Sequence, residues 1–338
     1  MRRGVESFTY NLSNHLAEFY DIKIIIYTWS TNDPINWGKW HKRIKIRKVP
    51  YSRYYQTLIA KIFYWFWIKL DRENKIICNF LWHGETAIFN RKKDVIIFHN
   101  PVSQIPYRYD FSKKYIDYNT SIIFDSNHSL NEFMAIDVRY TNCQMIHTGV
   151  DTEYFKPSEK NDNNKLNLLC ISEFEERKGI QYLIKAVPDL IKLFPSIILR
   201  IIGSGEQKKY YEQLIDQLGI KDYVDIHGPV NDTKPYLLMS DIYFLLSKGE
   251  GFPLGLLEAM SCGLPTIVSD SPPFEEIIDK SVGCRVNRGN PESLLQAVTK
   301  LRDKETRSHM GINARDLIKK RYSWGNIAEQ YYKLIIDE

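Results

Sequence analysis

The stretch IYFLLSKGEGFPLGLLEAMSCGLPTIVSD, residues 242–270, decides the fold. It opens on a short apolar run, IYFLLS (242–247), passes a Gly-Phe-Pro turn, and enters a helical pattern. That pattern ends at Gly263 and Pro265, and a second apolar run, PTIVSD (265–270), follows. Pro253 suits a first helical turn, because its missing N–H would have no partner there. Gly263 suits a helix C-cap and Pro265 a stop. Strand, helix and strand in this order form one unit of a parallel sheet. The helix N-terminus then lies at the carboxyl end of a strand, where free backbone N–H groups attract an anion or a polar sugar. Two glutamates flank this helix start, Glu250 in the turn and Glu258 inside the helix. Eight helical residues span about 12 Å, whereas a retaining hydrolase sets its carboxyls about 5–5.5 Å apart. The spacing suits gripping two ends of one ligand better than acid/base catalysis.

The same alternation runs outward in both directions. Towards the amino end, IKIIIYTW (22–29), IKIRKV (44–49), KIICNFL (75–81), DVIIFH (94–99), SIIFDS (121–126) and CQMIH (143–147) read as strands, with helical patterns at 6–20 and 129–135. After a polar, Asn-rich stretch at 153–167, read as a linker, a second set appears. Its runs are LNLLCIS (166–172), IILRIIG (197–203), YVDIHG (223–228), the opening pair, and GCRVN (283–287). Near-continuous β-branched runs are typical of strands covered on both faces. The expected fold class is α/β, with two Rossmann-like doubly wound domains facing a cleft: residues 1–155, residues 165–322, and a helix at 323–338 expected to pack back towards the first domain. Such sheets bind ligands beyond the carboxyl ends of their strands.

Composition agrees with a folded chain of two domains: 338 residues, 43% hydrophobic and 26% charged. The net charge of +5 hides an asymmetry. Residues 1–150 hold 21 Lys and Arg against 13 Asp and Glu, and residues 151–338 hold 25 against 28. A basic first half points to an anionic partner or to a solvated basic face. Between Asp33 and Asp71 there are nine Lys and Arg, no acidic residue, and the aromatic run IFYWFWI (62–68). The run is too short to cross a bilayer. Segment 39–69 reads either as a peripheral anchor on an anionic membrane surface or as a run packed under the first domain. Nucleic acid is a poorer reading, since no RNA-binding motif occurs. Five dispersed cysteines without CxxC spacing and without a signal peptide fit a reducing cytoplasm.

Beyond these physical readings, KGEGFPLGLLEAMSCGLP (248–265) resembles the E-x7-E segment of the retaining family-4 glycosyltransferases, whose architecture is called GT-B. SEFEERKGIQYLIKAV (172–187), LRIIGSGEQ (199–207), VDIHGPV (224–230) and YSWGNIAEQYYKL (322–334) resemble that family's C-terminal part in order and spacing. RRGVESFTYNLSNHLA (2–17), FHNP (98–101), SIIFDSNHS (121–129) and MIHTGVDTEYFKP (145–157) resemble its N-terminal part. The resemblance implies transfer of a sugar from a nucleoside diphosphate sugar to a glycan or lipid-linked acceptor, with retention at the anomeric carbon. It implies that Glu258 holds the donor ribose. Glu250 would hold the donor sugar, helped by the backbone of Gly251, Phe252, Pro253, Leu254 and Gly255. Lys178 would neutralise the diphosphate, with Arg177 beside it. Gly203 and Gly205 would let backbone approach the ligand, Gly228 and Val230 would border the base, and Gly4 would contact phosphate. His99, at the end of its strand, would position the transferring sugar, with His83 a weaker candidate. Without the resemblance, a lone His at a strand end is more often structural. The family carries Arg five residues before the lysine, where this chain has Glu173. No D-x-D occurs, so metal-independent transfer without a cofactor is expected. The alternative is a degenerate protein that binds a sugar nucleotide without turning it over.

Overall fold

The computed structural model describes residues 4–20, 22–29, 39–49, 77–79, 95–99, 121–136, 138–158 and 165–336. They fall into two compact units, Val150–Ser323 and a second formed by Arg2–Gly149 with Trp324–Glu338.

The described part of the second unit opens on helix α1 (Gly4–Phe19) and carries two parallel sheets. One pairs β1 (Ile24–Trp29) with β2 (Ile44–Val49). The other runs β3 (Ile77–Asn79), β4 (Val95–Phe98), β5 (Ser121–Phe124) and β6 (Cys143–Met145) in spatial order. Helix α2 (Asn127–Ile136) lies between β5 and β6 in the chain. Phe8, Leu12 and Leu16 of α1 share a core with Val95, Ile97, Ile123 and Ile146. Trp324, Ile327, Tyr331 and Leu334, one stripe of the carboxyl-terminal helix 324–336, complete that core. Gly149 allows the chain to pass this helix, since a Cβ there would lie 2.6 Å from the Trp324 ring. Of the basic stretch 39–69, only 39–49 is described, so the aromatic run 62–68 lies outside the described residues. Among the described residues no helix is long and apolar enough to cross a membrane.

The unit Val150–Ser323 holds one six-stranded parallel sheet. In chain order its elements are β7 (Leu166–Ile171), α3 (Ile180–Leu193), β8 (Ile197–Ile202), α4 (Lys208–Leu218), β9 (Val224–His227) and α5 (Lys234–Leu238). They continue with β10 (Ile242–Leu245), α6 (Leu254–Ser261), β11 (Thr266–Ser269), α7 (Phe274–Ile277), β12 (Gly283–Val286), α8 (Pro291–Lys300) and α9 (Lys304–Arg321). Helix α10 (Trp324–Ile336) returns to the other unit. The strand order is β12-β11-β10-β7-β8-β9. Numbered within the unit this reads 6-5-4-1-2-3, the dinucleotide-fold order, with its reversal between β7 and β10.

Side-chain alternation explains the apolar runs. Leu168 and Cys170 of β7 and Ile242 and Phe244 of β10 face one core, which includes Leu183, Ile184 and Val187 of α3. Leu169, Tyr243 and Leu245 face the other, which includes Leu256, Leu257 and Met260 of α6. Every second residue serves the opposite layer, so both must be apolar. The stretch expected as a linker is partly packed: Arg315 donates to the carbonyls of Phe155 (3.1 Å) and Thr152 (3.3 Å), and Ser261 Oγ to that of Phe155 (2.5 Å). Pro253 sits one place earlier than expected. It caps α6, and the helix begins at Leu254. Gly263 has the C-cap geometry expected of it, with φ +76° and Leu264 N bonded to Ala259 O.

Candidate functional site

At the reversal of strand order, α3 after β7 and α6 after β10 pack on opposite faces of the sheet, the arrangement in which such sheets bind ligands beyond the strands' carboxyl ends. The register Phe244↔Cys170 sets these two ends abreast. The loop after β7 closes in a 3-10 turn, Glu176–Lys178, ended by Gly179 in the left-handed region at φ +71°. A Cβ on Gly179 would collide with the carbonyl of Leu246, at the end of β10. The two loops therefore touch backbone to backbone, and Lys248 N donates to Arg177 O at 2.8 Å.

This contact delivers Lys178 to Glu250. Its Nζ reaches Oε1 at 2.7 Å and Oε2 at 2.9 Å, and the two side chains are only 10% and 13% exposed. Ser247 Oγ donates to Glu250 Oε1 at 2.7 Å. The Ser247 carbonyl is fixed in turn by the hydroxyls of Ser269 and Ser271. A carboxylate offers about four acceptor positions. Lys178 takes two and Ser247 one, so one on Oε2 remains for a ligand hydroxyl.

Neighbouring residues in an ordinary helix point apart. Arg177 nevertheless turns to the same carboxylate as Lys178, with Nη1 3.8 Å from Glu250 Oε2 and 3.3 Å from Gly249 O. Tight winding and two long side chains allow the convergence. Glu175 fixes the guanidinium through Nε at 2.7 Å. Glu173, 68% exposed, lies 3.6 Å from Nη2. The carboxylate found where the family has a cation thus leans on a neighbouring cation.

Glu258 projects from α6, partly open to solvent, and accepts a hydrogen bond from Thr233 Oγ1 at 3.0 Å. Burial of the carboxyl pushes its pKa up to about 7; Asp232 adds to the rise and the Thr233 hydroxyl opposes it. Gly255 is required because a Cβ would lie 2.8 Å from Tyr243 Oη, which donates to Ile171 O at 3.3 Å. The first N–H groups of α6, at Leu254 and Gly255, lie outside the helix's own ladder. Gly251 is buried, and the Phe252 ring packs 5.8 Å from that of Tyr322.

Gly203 and Gly205 follow β8 at φ +155° and +154°. Their missing side chains face the loop after β7. A Cβ on Gly203 would collide with Ser172 O, and one on Gly205 would lie 2.6 Å from Phe174 O. These glycines let the loops after β7 and β8 pack together, and Gly205 also lines a recess with Glu173, Glu175, Glu176, Arg177, Ser204 and Glu206. Gly228 follows β9 with open space at its Cβ position, and Val230 packs on the core beside α6.

In the other unit, Phe98↔Phe124 is the last pair of β4 and β5. The next residues, His99 and Asp125, therefore stand side by side, with Nδ1 3.9 Å from Oδ2. Burial pushes His99 down to about 4, so its ring is neutral near pH 7. Phe8 meets the ring edge-on at 4.7 Å. Gly4 is the first residue of α1. His83 lies outside the described residues. Among the described residues no group of three His, Cys, Asp or Glu gathers as metal ligands.

Sequence reasoning missed Ser247, Thr233 and Asp125. Ser247 and Asp125 carry a local signal, as polar residues directly after apolar strands. Thr233 has none, because its partner lies 25 residues away.

Residues 151–317 match the family described as glycosyl transferases group 1. The N-acetyl-alpha-D-glucosaminyl L-malate synthase of Bacillus anthracis is 32% identical over 174 residues, which cover 50% of this chain and 45% of that protein. The chain spans about half the length of the curated relatives it matches. The glycosyltransferase from Rickettsia africae ESF-5 has a similar fold, with a TM-score of 0.82 at 17% identity, covering 99% of this chain and 94% of that one. Anabaena HepE in complex with UDP-glucose has a TM-score of 0.76 at 16% identity, covering 100% and 97%. The fold is therefore GT-B, and the similarity to glycosyl transferases group 1 is carried by residues 151–317.

Proposed function

We propose that the chain transfers a sugar from a nucleoside diphosphate sugar to a glycan or lipid-linked acceptor, with retention of anomeric configuration. The observation that carries this reading is the Lys178–Glu250 pair at the strand-order reversal, 2.7 Å apart, with Glu258 as a second carboxylate on the following helix. In this reading Glu258 accepts the ribose hydroxyls, and the open position on Glu250 accepts a hydroxyl of the donor sugar. Lys178, Arg177 and the N-terminus of α6 receive the diphosphate. Charge accumulates on the leaving nucleoside diphosphate as the glycosidic bond breaks, and cations already fixed in place stabilise it without reorganisation. The backbone at Gly228–Val230 borders the base, and neutral His99 offers its ring to the sugar. Support comes from the group 1 match and from the glucosaminyl and UDP-glucose names of the relatives. With cations in the diphosphate role, turnover needs no metal ion. The basic stretch 39–69 brings the protein to an anionic membrane surface where a lipid-linked acceptor resides.

Incubation with UDP-, GDP- and ADP-sugars, with products followed by NMR, tests the reading. One donor is expected to be consumed, and the product to keep the donor's anomeric configuration. If no donor turns over and Glu258→Ala leaves nucleotide binding unchanged, the reading fails. Liposome flotation tests the membrane step: neutralising the Lys and Arg of 39–69 should abolish flotation on anionic vesicles, and unchanged flotation rules the step out.

A further inference from the structure

We infer that Thr233 is a positioning residue of the donor site, holding one oxygen of Glu258 so that the other faces the ribose hydroxyls. The inference rests on the assignment of Glu258 to the ribose.

Thr233 occupies the N-cap position of α5, where a threonine hydroxyl ordinarily accepts a hydrogen bond from an N–H of the first turn. Here it makes no such bond. The first turn is held instead by Asp232 Oδ1, which accepts from Lys234 N at 3.0 Å, and by the Thr233 carbonyl, which accepts from Tyr236 N and Leu237 N at 3.1 Å each. The hydroxyl, on a residue only 7% exposed, donates to Glu258 Oε2 at 3.0 Å. A group that local folding would spend on the helix is spent on the carboxylate 25 residues away.

The consequence is geometric and electrostatic. With Oε2 engaged, Oε1 keeps both acceptor positions, matching the two adjacent hydroxyls of a ribose. Only the ionised carboxylate offers both without a competing proton. Burial and the charge of Asp232 oppose its ionisation. Asp232 precedes Thr233, accepts from Tyr154 Oη at 2.8 Å, and adds negative charge. Tyr154 and, on β10, Tyr243 also face Glu258, and Lys234 lies over the Tyr154 ring at 4.5 Å. The carboxyl titrates at about 7 with the Thr233 bond pulling it down, so losing that bond raises it further. Near pH 7 the variant would carry less carboxylate, and near pH 9 the deficit would vanish.

Calorimetric titration of the full chain with UDP-glucose, GDP-mannose and ADP-glucose selects the tightest donor as the probe. Thr233→Val is expected to weaken its binding roughly tenfold at pH 7 and about twofold at pH 9, while Thr233→Ser restores it. In a Glu258→Ala background, Thr233→Val should add nothing. A Thr233→Val protein that binds like the wild type, an equal loss at both pH values, or full additivity with Glu258→Ala overturns the positioning role and leaves the ribose assignment standing. Unchanged binding by Glu258→Ala alone, or binding of none of the three donors, overturns the assignment and the inference together. Losing a hydrogen bond to a buried carboxylate should lower the melting temperature of Thr233→Val by only a few degrees, and circular dichroism showing the variant folded at the assay temperature keeps a binding loss from being read as unfolding.

Discussion

Replacing Lys178 by Met removes the cation from a buried pair and leaves Glu250 in place. At the observed 2.7–2.9 Å, two unit charges at an effective dielectric constant of about 20 attract by roughly 6 kcal/mol. Part of this offsets the cost of dehydrating the two groups, and both are only 10% and 13% exposed. Losing one partner of a buried pair costs about 3–5 kcal/mol, because the other charge stays buried without compensation. Glu250 retains the Ser247 hydroxyl at 2.7 Å and the Arg177 guanidinium at 3.8 Å, so we expect the low end, about 3 kcal/mol. The double variant Lys178→Met/Glu250→Gln should lose less than the single one, because no charge is left stranded. The readout must follow the correct unit, since two units need not unfold together. All seven tryptophans lie outside 150–323, so tryptophan fluorescence follows the other unit. Hydrogen exchange in a urea series, read by mass spectrometry on peptides from β7 and β10, follows this one. A single-variant loss below about 1 kcal/mol, or a double variant less stable than the single, would refute the reasoning.

Three further outcomes follow from the same contacts. Glu258 titrates at about 7 in the folded protein against 4.5 for the free group. Its contribution to stability is therefore full below about pH 4.5 and is lost as pH rises towards 7; relative to Glu258→Gln, the wild type should lose about 2 kcal/mol over that range once partial exposure is allowed for, and parallel pH profiles would contradict this. Gly179→Ala forces a side chain into left-handed backbone and against Leu246 O. It should destabilise the unit by about 1–3 kcal/mol and reduce activity by displacing Lys178, and a fully active variant of wild-type stability would argue against the loop contact. Glu173→Arg places a cation where the family has one and releases Arg177 from a carboxylate at 3.6 Å; donor KM should fall, and a rise would show that Glu173 aids binding through Arg177.

The sequence determined the layer architecture. Apolar runs such as IYFLL and LNLLCI fix strands buried on both faces, and Gly263 with Pro265 fixes a helix end, because these are local consequences of backbone geometry and of alternation with a period of two. It also marked Glu250 and Lys178, which lie on strand-to-helix connections, and Glu258, which lies on α6. What it could not set is who holds whom. Local spacing led to Arg177 and Lys178 pointing apart, yet the 3-10 turn and the loop contact at Gly179 bring both to Glu250. Gly203 and Gly205 are expected to let backbone approach a ligand, and the fold shows a further demand on them, since their missing side chains make room for the loop after β7. Thr233 draws no notice in the sequence, and only the fold brings its hydroxyl to Glu258, 25 residues away. Each of these depends on β7, β8, β9 and β10 lying in the spatial order β10-β7-β8-β9. That order comes from long-range strand pairing, which no short stretch of chain encodes, and so only the tertiary structure decided it.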